Sequence, residues 1–257
     1  MNAQLKRINN QNINDKRVGS LLIIVFFTMI LLWVLATILN AKLLWFIFIW
    51  IASSILIYKN KKYINKKNIV TGFILGILSI SSGLITISST IIAFIAATSV
   101  FNKSNNKIIF MKSGKKNLIL TSIIILITGV GLGAINVYGA INTIPINASF
   151  RFQWILDALR AGITEEILFR FLFFAICIEL IKDIKLNKFE SFICYLIMIV
   201  PHVLLHFNFS NFNISNIIAM SLIFGLPFTL LQMKRDLLTA IGSHALVDLI
   251  RFSLFGI

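Results

Sequence analysis

The feature that most constrains the fold of this chain is a set of long stretches without a single charged residue. A helix needs roughly 20 apolar residues to cross the hydrocarbon core of a bilayer, and several of these stretches reach or exceed that length. The chain is therefore expected to cross a membrane more than once. The uncharged stretches cover residues 18–41, 43–58, 68–102, 117–150 and 191–233.

The composition agrees with a membrane protein. Of the 257 residues, 58% are hydrophobic and 13% are charged, and the mean hydropathy is +0.92. An ordinary soluble domain carries about 25% charged residues. Only helices and closed barrels satisfy every backbone polar group in lipid, and these runs are too continuous for barrel strands of alternating polarity. We therefore predict an all-α fold, a polytopic transmembrane helical bundle of about eight spans.

The formal net charge of +15 comes largely from basic residues between the apolar runs. In a soluble protein this charge would suggest nucleic acid binding, but here its placement follows the positive-inside rule, under which Lys and Arg mark cytoplasmic loops. We expect the lipid bilayer as a partner, no nucleic acid, and a cytoplasmic N-terminus. The many Asn, Ile and Lys residues suggest an AT-rich bacterial genome, hence a bacterial cell membrane. The basic loops are 59–67, 103–116, 182–188 and 234–236.

The stretch 68–102 is long enough for one crossing or for two short ones. One crossing would place the basic loop 103–116 outside, whereas two segments that break near Ser81-Ser82-Gly83 keep it inside, so we favour the pair. We divide the chain into N-terminal transmembrane segments, 1–150, and C-terminal helices that carry the candidate site, 151–257, within one membrane domain. The other predicted segments are 19–40, 43–58, 117–140, 153–181, 189–207, 216–233 and 237–255.

Two adjacent acidic residues, Glu165 and Glu166, lie near the middle of the predicted segment 153–181. An ionisable group at mid-bilayer costs a few kcal/mol, so such residues usually face the bundle interior and serve a function. Glu166 and Arg170 are four residues apart and share a helical face, so they can form an ion pair. Glu165 lies about 100° around the helix, where it can face a cavity and act as a general acid or base.

All three histidines of the chain, His202, His206 and His244, fall in predicted membrane segments of the same half. One histidine in an apolar helix is more often a hydrogen-bonded packing residue than a ligand. Three in the half that carries the carboxylate pair favour a functional site. His244 precedes Asp248 by four residues, so one helix face presents an imidazole and a carboxyl group together.

These residues resemble the motifs of a known family. Glu165-Glu166-Ile-Leu-Phe-Arg170 is similar to the EExxxR motif of the CAAX-protease and bacteriocin-processing family, also called CPBP or Abi, of intramembrane endopeptidases. The third motif of the family is HxxxN or HxxxD, and His244-Ala-Leu-Val-Asp248 matches it. Three ordered motifs on three membrane helices are more specific than EExxxR alone.

The second motif, FxxxH, is matched less well. His202 is our choice because it lies about as deep as the histidine of the third motif, although Met198 stands where Phe is usual. His206 is the alternative, which would put His202 in the Phe position. The resemblance covers roughly residues 150–252.

The resemblance implies peptide hydrolysis within the membrane. Glu165 and His202 would activate the attacking water, and Arg170 would hold Glu166. His244 and Asp248 would face the developing oxyanion or orient the other groups. The family has been described both as metalloproteases and as metal-free glutamate proteases. A glutamate and two histidines can hold zinc with an open fourth position, yet HExxH is absent, so we favour the metal-free mechanism.

The substrates expected from the resemblance are peptides or proteins in or at the membrane, either prenylated C-terminal peptides or leader peptides of secreted peptides. Two other functions compete with proteolysis. One is a non-catalytic membrane scaffold or bacteriocin self-immunity protein with the same fold. The other is a small transporter, which we rank last because transporters commonly show two related halves, whereas the polar residues here concentrate in one half.

Overall fold

The computed structural model describes residues 2–105, 107–182 and 186–256, with side chains from Val18 onward except that of Ser82. All regular structure in these ranges is helical, which confirms the all-α prediction. Lys185, one of the predicted loop lysines, lies outside them. The α-helices are α1 Asn2–Ile38, α2 Leu43–Asn60, α3 Lys66–Leu78, α4 Leu84–Lys103, α5 Lys115–Ala140, α6 Phe152–Glu165, α7 Leu172–Ile181, α8 Lys188–Leu204, α9 Ile214–Met220, α10 Leu226–Lys234 and α11 Leu237–Phe255.

Two π-helical turns join pairs of these helices into longer rods. Glu166–Phe171 connects α6 to α7, and Ser221–Gly225 connects α9 to α10. Single π-helical turns are rare and are found frequently at functional sites. The first of them begins at the second glutamate of the predicted motif.

Within the part of the chain that the structure describes, six helical segments are long and apolar enough to span a membrane, which identifies an integral membrane protein. The rod of α6 and α7 carries charged residues at its centre and α8 has only 17 residues, so neither is among the six. The expected number of about eight spans is therefore approximate. The six segments are Val18–Ile38, Leu43–Tyr63, Leu84–Lys103, Lys115–Ala140, Ile214–Lys234 and Leu237–Phe255.

The structure confirms that the stretch 68–102 is broken into two helices. A 3₁₀ turn at Ile80–Ser82 and Gly83, whose φ of +84° favours glycine, separate α3 from α4. The two helices pack closely at Gly76. A Cβ added there would lie 2.5 Å from Cγ1 of Ile91, so the missing side chain allows this approach. At 13 residues, α3 is shorter than a full bilayer crossing.

The basic connections meet at one end of the bundle, here called the lysine end. The Asn102 amide donates to the carbonyl of Tyr63 at 2.8 Å, and Lys103 pairs with Glu179 at 3.6 Å. The backbone N–H of Leu237 donates to the Ile109 carbonyl at 3.0 Å. The connections after α2, α4, α7 and α10 therefore lie on the same side, as the distribution of lysines predicted.

The helices that carry the polar residues are held together by close packing. A Cβ added at Gly162 of α6 would lie 2.6 Å from the Ile241 carbonyl oxygen of α11, so only glycine permits this approach. In the same way, Gly129 and Gly133 of α5 contact Leu246 and Ile250 of α11. Small residues at helix interfaces allow close packing within membranes. As a result, the centre of α6 lies directly against α11.

Candidate active site

The innermost part of the site is a buried ion pair within the first π-helical turn. Glu166 and Arg170 are both fully buried, and Nη1 of Arg170 donates to Oε1 of Glu166 at 2.5 Å. Nδ1 of His244 lies 2.8 Å from the same carboxylate oxygen. Because an ionised carboxylate only accepts, His244 donates through Nδ1. The pair thus fixes the orientation of an imidazole on another helix.

The second contact of Arg170 determines the tautomer of His202. Nη2 of Arg170 lies 3.0 Å from Nδ1 of His202, and a guanidinium can only donate, so this nitrogen must accept. The proton of the neutral ring then resides on Nε2, which lies 2.7 Å from Oε2 of Glu165. Arg170 therefore orients His202, and His202 in turn donates a hydrogen bond to Glu165.

Glu165, His244 and Asp248 surround a small space at the centre of the cluster. Nε2 of His244 lies 3.6 Å from Oε2 of Glu165 and 3.7 Å from Oδ2 of Asp248, and both distances are too long for a hydrogen bond. The side chains of Glu165 and Asp248 are 26% and 18% exposed, whereas that of His244 is 9% exposed. The structure thus brings all six predicted site residues into one cluster with a partly open centre.

His202, our choice for the second motif, contacts Glu165 and Arg170, whereas the exposed His206 lies beside them. The ring centroids of the two histidines are 5.4 Å apart. Met198, at the position where Phe is usual, is fully buried one helical turn below His202. The alternative assignment to His206 places that residue at the edge of the cluster.

The donor atoms of the site bear on the zinc ion that one description of the family implies. Among the described residues, the ligand atoms of Glu165, His202 and His206 lie within 4.8 Å of one another. Zinc requires an unprotonated imidazole nitrogen. In His202, Nδ1 already accepts from Arg170 and Nε2 carries the proton, so His202 offers no free lone pair. As arranged, these residues do not fit zinc, and we derive no step through a metal.

One residue that supports His244 was missed by sequence reasoning. The ring of Phe228 in α10 stacks on the imidazole with centroids 4.8 Å apart and an interplanar angle of 8°. The guanidinium of Arg170 lies 5.7 Å from the same ring centroid, within the range of a cation–π contact. The chain contains 23 phenylalanines, and nothing in its sequence distinguishes this one.

A cavity of about 540 Å³ leads to the cluster. Its inner wall contains Glu165 and His202, but much of its remaining wall comes from the N-terminal half, which the sequence marked only as membrane helices. No residue pattern in that half signalled this role, because aromatic residues in apolar helices are usually packing residues. The other lining residues are Trp33, Ala36, Thr37, Asn40, Lys42, Trp45, Phe46, Phe169, Leu205, His206, Phe207 and Asn208.

Fold and site together define a polytopic helical membrane protein with a buried Glu–Arg–His cluster at the end of a cavity. Comparison with protein families gives a more particular similarity, because residues 147–250 match the family described as type II CAAX prenyl endopeptidase Rce1-like. This match confirms the resemblance to the CPBP family, and it covers the whole of the cluster. No curated protein and no solved structure matches the chain.

Proposed function

We propose that this protein is an intramembrane endopeptidase in which Glu165 activates water to hydrolyse a peptide bond of a membrane-associated substrate. The observation that carries the proposal is the position of Glu165. Its carboxylate is partly exposed to the cavity, accepts a hydrogen bond from His202, and lies 3.6 Å from Nε2 of His244. The match to a family of CAAX endopeptidases supports this chemistry.

The proposed reaction begins with a water molecule in the space beside Glu165. Glu165 takes one proton as the water oxygen attacks the peptide carbonyl carbon, and later gives that proton to the departing amine nitrogen. The hydrogen bond from His202 holds the carboxylate in position. The buried Arg170 contributes indirectly, since it orients His202 through Nδ1.

His244 and Asp248 are proposed to face the oxyanion that forms during the attack. Nδ1 of His244 donates to Glu166, which turns Nε2 toward the space between Glu165 and Asp248. Because one ring nitrogen already donates, Nε2 can donate to the oxyanion only when His244 is the doubly protonated imidazolium, and the proposal assigns it this form. Donors that are already oriented before the reaction stabilise developing charge without further rearrangement.

We also propose that the cluster-bearing region 151–257 and the N-terminal region 1–150 act as one domain. The N-terminal region supplies part of the wall of the cavity that leads to the cluster.

The test compares hydrolysis by the full chain and by Glu165→Gln after reconstitution into liposomes. The probes are a farnesylated CAAX peptide and an unprenylated peptide anchored by an apolar segment, with products identified by mass spectrometry. Since general base catalysis contributes about 10²–10⁴-fold, Glu165→Gln should reduce the rate by that factor. Glu179→Gln is the matched control. Glu179 lies on α7, which continues the rod that carries Glu165, but it contacts Asn60 and Lys103 at the lysine end, away from the cluster.

Two outcomes would contradict the proposal. Equal rates for wild type and Glu165→Gln would exclude Glu165 as the base. If neither probe is cleaved while both proteins remain folded, the alternative of a non-catalytic scaffold or immunity protein gains support.

A further inference from the structure

The cavity has a closed inner end and an open outer end. Glu165 and His202 lie at the inner end, whereas the exposed residues Asn40, Lys42 and Asn208 form the opposite rim. These rim residues belong to the connections after α1 and α8.

Toward the lysine end, the cavity is closed by aromatic packing. Phe169 contacts Trp45 with ring centroids 5.7 Å apart, and Phe173 is fully buried beside both. The cluster can therefore be reached through the rim, but not along the bundle axis from the lysine end.

The two ends of the bundle differ strongly in charge. The connections at the lysine end, 61–65, 104–114, 182–187 and 235–236, contain seven basic residues. The connections at the opposite end, 39–42, 79–83, 141–151 and 205–213, contain only two, Lys42 and Arg151. Short loops rich in Lys and Arg remain cytoplasmic. By this rule, the end that carries the rim faces away from the cytoplasm.

We propose that the cavity opens on the extracytoplasmic side of the membrane and takes peptide segments from that side. This inference rests on the proposed proteolysis. It narrows the substrates to polypeptides that have been translocated across the membrane or that emerge from its outer leaflet. The cavity wall is aromatic between the cluster and the rim, with Phe169, Trp45 and Trp33, so the substrate should carry apolar residues near the scissile bond.

The direction of opening can be measured without any substrate. Cys177 and Cys194, both buried, are first replaced by alanine in the full chain. Thr37→Cys then places a thiol on the cavity wall. Thr28→Cys is its matched control, because Thr28 lies on the same helix but lines a different, more apolar pocket. Each threonine hydroxyl donates only to a carbonyl of its own helix, so both changes cost the same contact.

The reagent is a small, charged, membrane-impermeant methanethiosulfonate applied to intact cells and to inside-out vesicles. Because only a hydrated thiol ionises and reacts, Thr37→Cys should label at least about tenfold faster than Thr28→Cys from outside. Lys62→Cys, at the lysine end, should label only in inside-out vesicles. Labelling of Thr37→Cys only in inside-out vesicles, or of Lys62→Cys from outside, would overturn the inference.

A second arm connects the opening to catalysis. A bulky impermeant reagent attached at Thr37→Cys from outside should abolish cleavage of whichever peptide probe the wild type hydrolyses, while reagent attached at Lys62→Cys from the other side should not. Cleavage that persists after complete modification of Thr37→Cys would show that the substrate enters elsewhere. The labelling pattern should be the same in Glu165→Gln, so a failure of the proposed hydrolysis is distinguished from a wrong direction of opening.

Discussion

Two buried carboxylate clusters in this molecule differ in how completely their oxygens are satisfied. At the lysine end, Asp236 is fully buried and accepts from the backbone N–H of Thr239 at 2.9 Å, from the hydroxyl of Thr239, and from the backbone N–H of Lys112 at 3.2 Å. In the centre of the bundle, Glu165 has a single hydrogen bond among the described residues, to His202, and borders the cavity.

This difference separates a structural carboxylate from one that is available for chemistry. Both oxygens of Asp236 are occupied by donors that cap α11 and hold the connection 107–114 against it, so no acceptor remains for a ligand. Glu165 retains acceptor capacity toward a space large enough for water. Burial and charge alone do not identify a reactive group, whereas an incompletely satisfied carboxylate beside a cavity does.

The largest expected effect comes from removing the cation of the central cluster. Arg170→Met leaves Glu166 buried without its ion-pair partner and leaves Nδ1 of His202 without a donor. Breaking a buried ion pair in this way costs about 3–5 kcal/mol, so the thermal unfolding midpoint of the detergent-solubilised protein should fall markedly and hydrolysis should be lost.

The control for this change removes both charges. The double variant Glu166→Gln/Arg170→Met no longer buries an unpaired carboxylate, so part of the lost stability should return while hydrolysis remains absent. A single variant Arg170→Met as stable as the wild type would show that the pair does not hold the cluster together.

Asp236→Ala should have a smaller effect, and on stability only. It removes the cap of α11 and leaves the partly buried N–H of Lys112 without its acceptor, for which we expect a loss of stability of about 1–3 kcal/mol. The folded protein should keep the kcat and KM of the proposed hydrolysis because Asp236 lies at the opposite end from the cavity rim. The measurement pairs thermal unfolding with the peptide hydrolysis assay. A changed kcat at unchanged stability would invalidate the distinction drawn between the two clusters.

The sequence predicted which polar residues lie together in the structure, because their chemistry is incompatible with lipid unless they face one another. Glu165, Glu166 and Arg170 cannot lie in an apolar segment unpaired, and spacing alone placed two of them on one helical face. The break near Gly83 was predictable for a related reason, since the lysines on both sides of 68–102 had to lie on the same side of the membrane.

The aromatic residues around the site were not predictable in this way. Trp45, in the cavity wall, and Phe228, stacked on His244, reach the site through contacts between helices far apart in the chain. Their apolar side chains carry no signal that separates them from ordinary packing residues. Likewise, the tautomer of His202 follows from its distance to Arg170, which no spacing rule supplies for residues on different helices.

The smallest expected effect is that of Asp248→Asn, and it tests how the open centre of the cluster works. Oδ2 of Asp248 lies 3.7 Å from Nε2 of His244, so the carboxyl group makes no hydrogen bond that would orient this ring. We therefore expect Asp248 to act as a donor to the oxyanion in its protonated form, a role that the amide of Asn can fill.

Asp248→Asn should keep kcat/KM within about tenfold of the wild type, which corresponds to about 1.4 kcal/mol. Asp248→Ala should reduce kcat/KM by about 10²–10³-fold, as expected for the removal of an oxyanion donor. If Asp248 instead accepts a hydrogen bond from His244 during the reaction, Asn and Ala should be impaired alike. Full activity in Asp248→Ala would remove this residue from the site and leave His244 as the donor to the oxyanion.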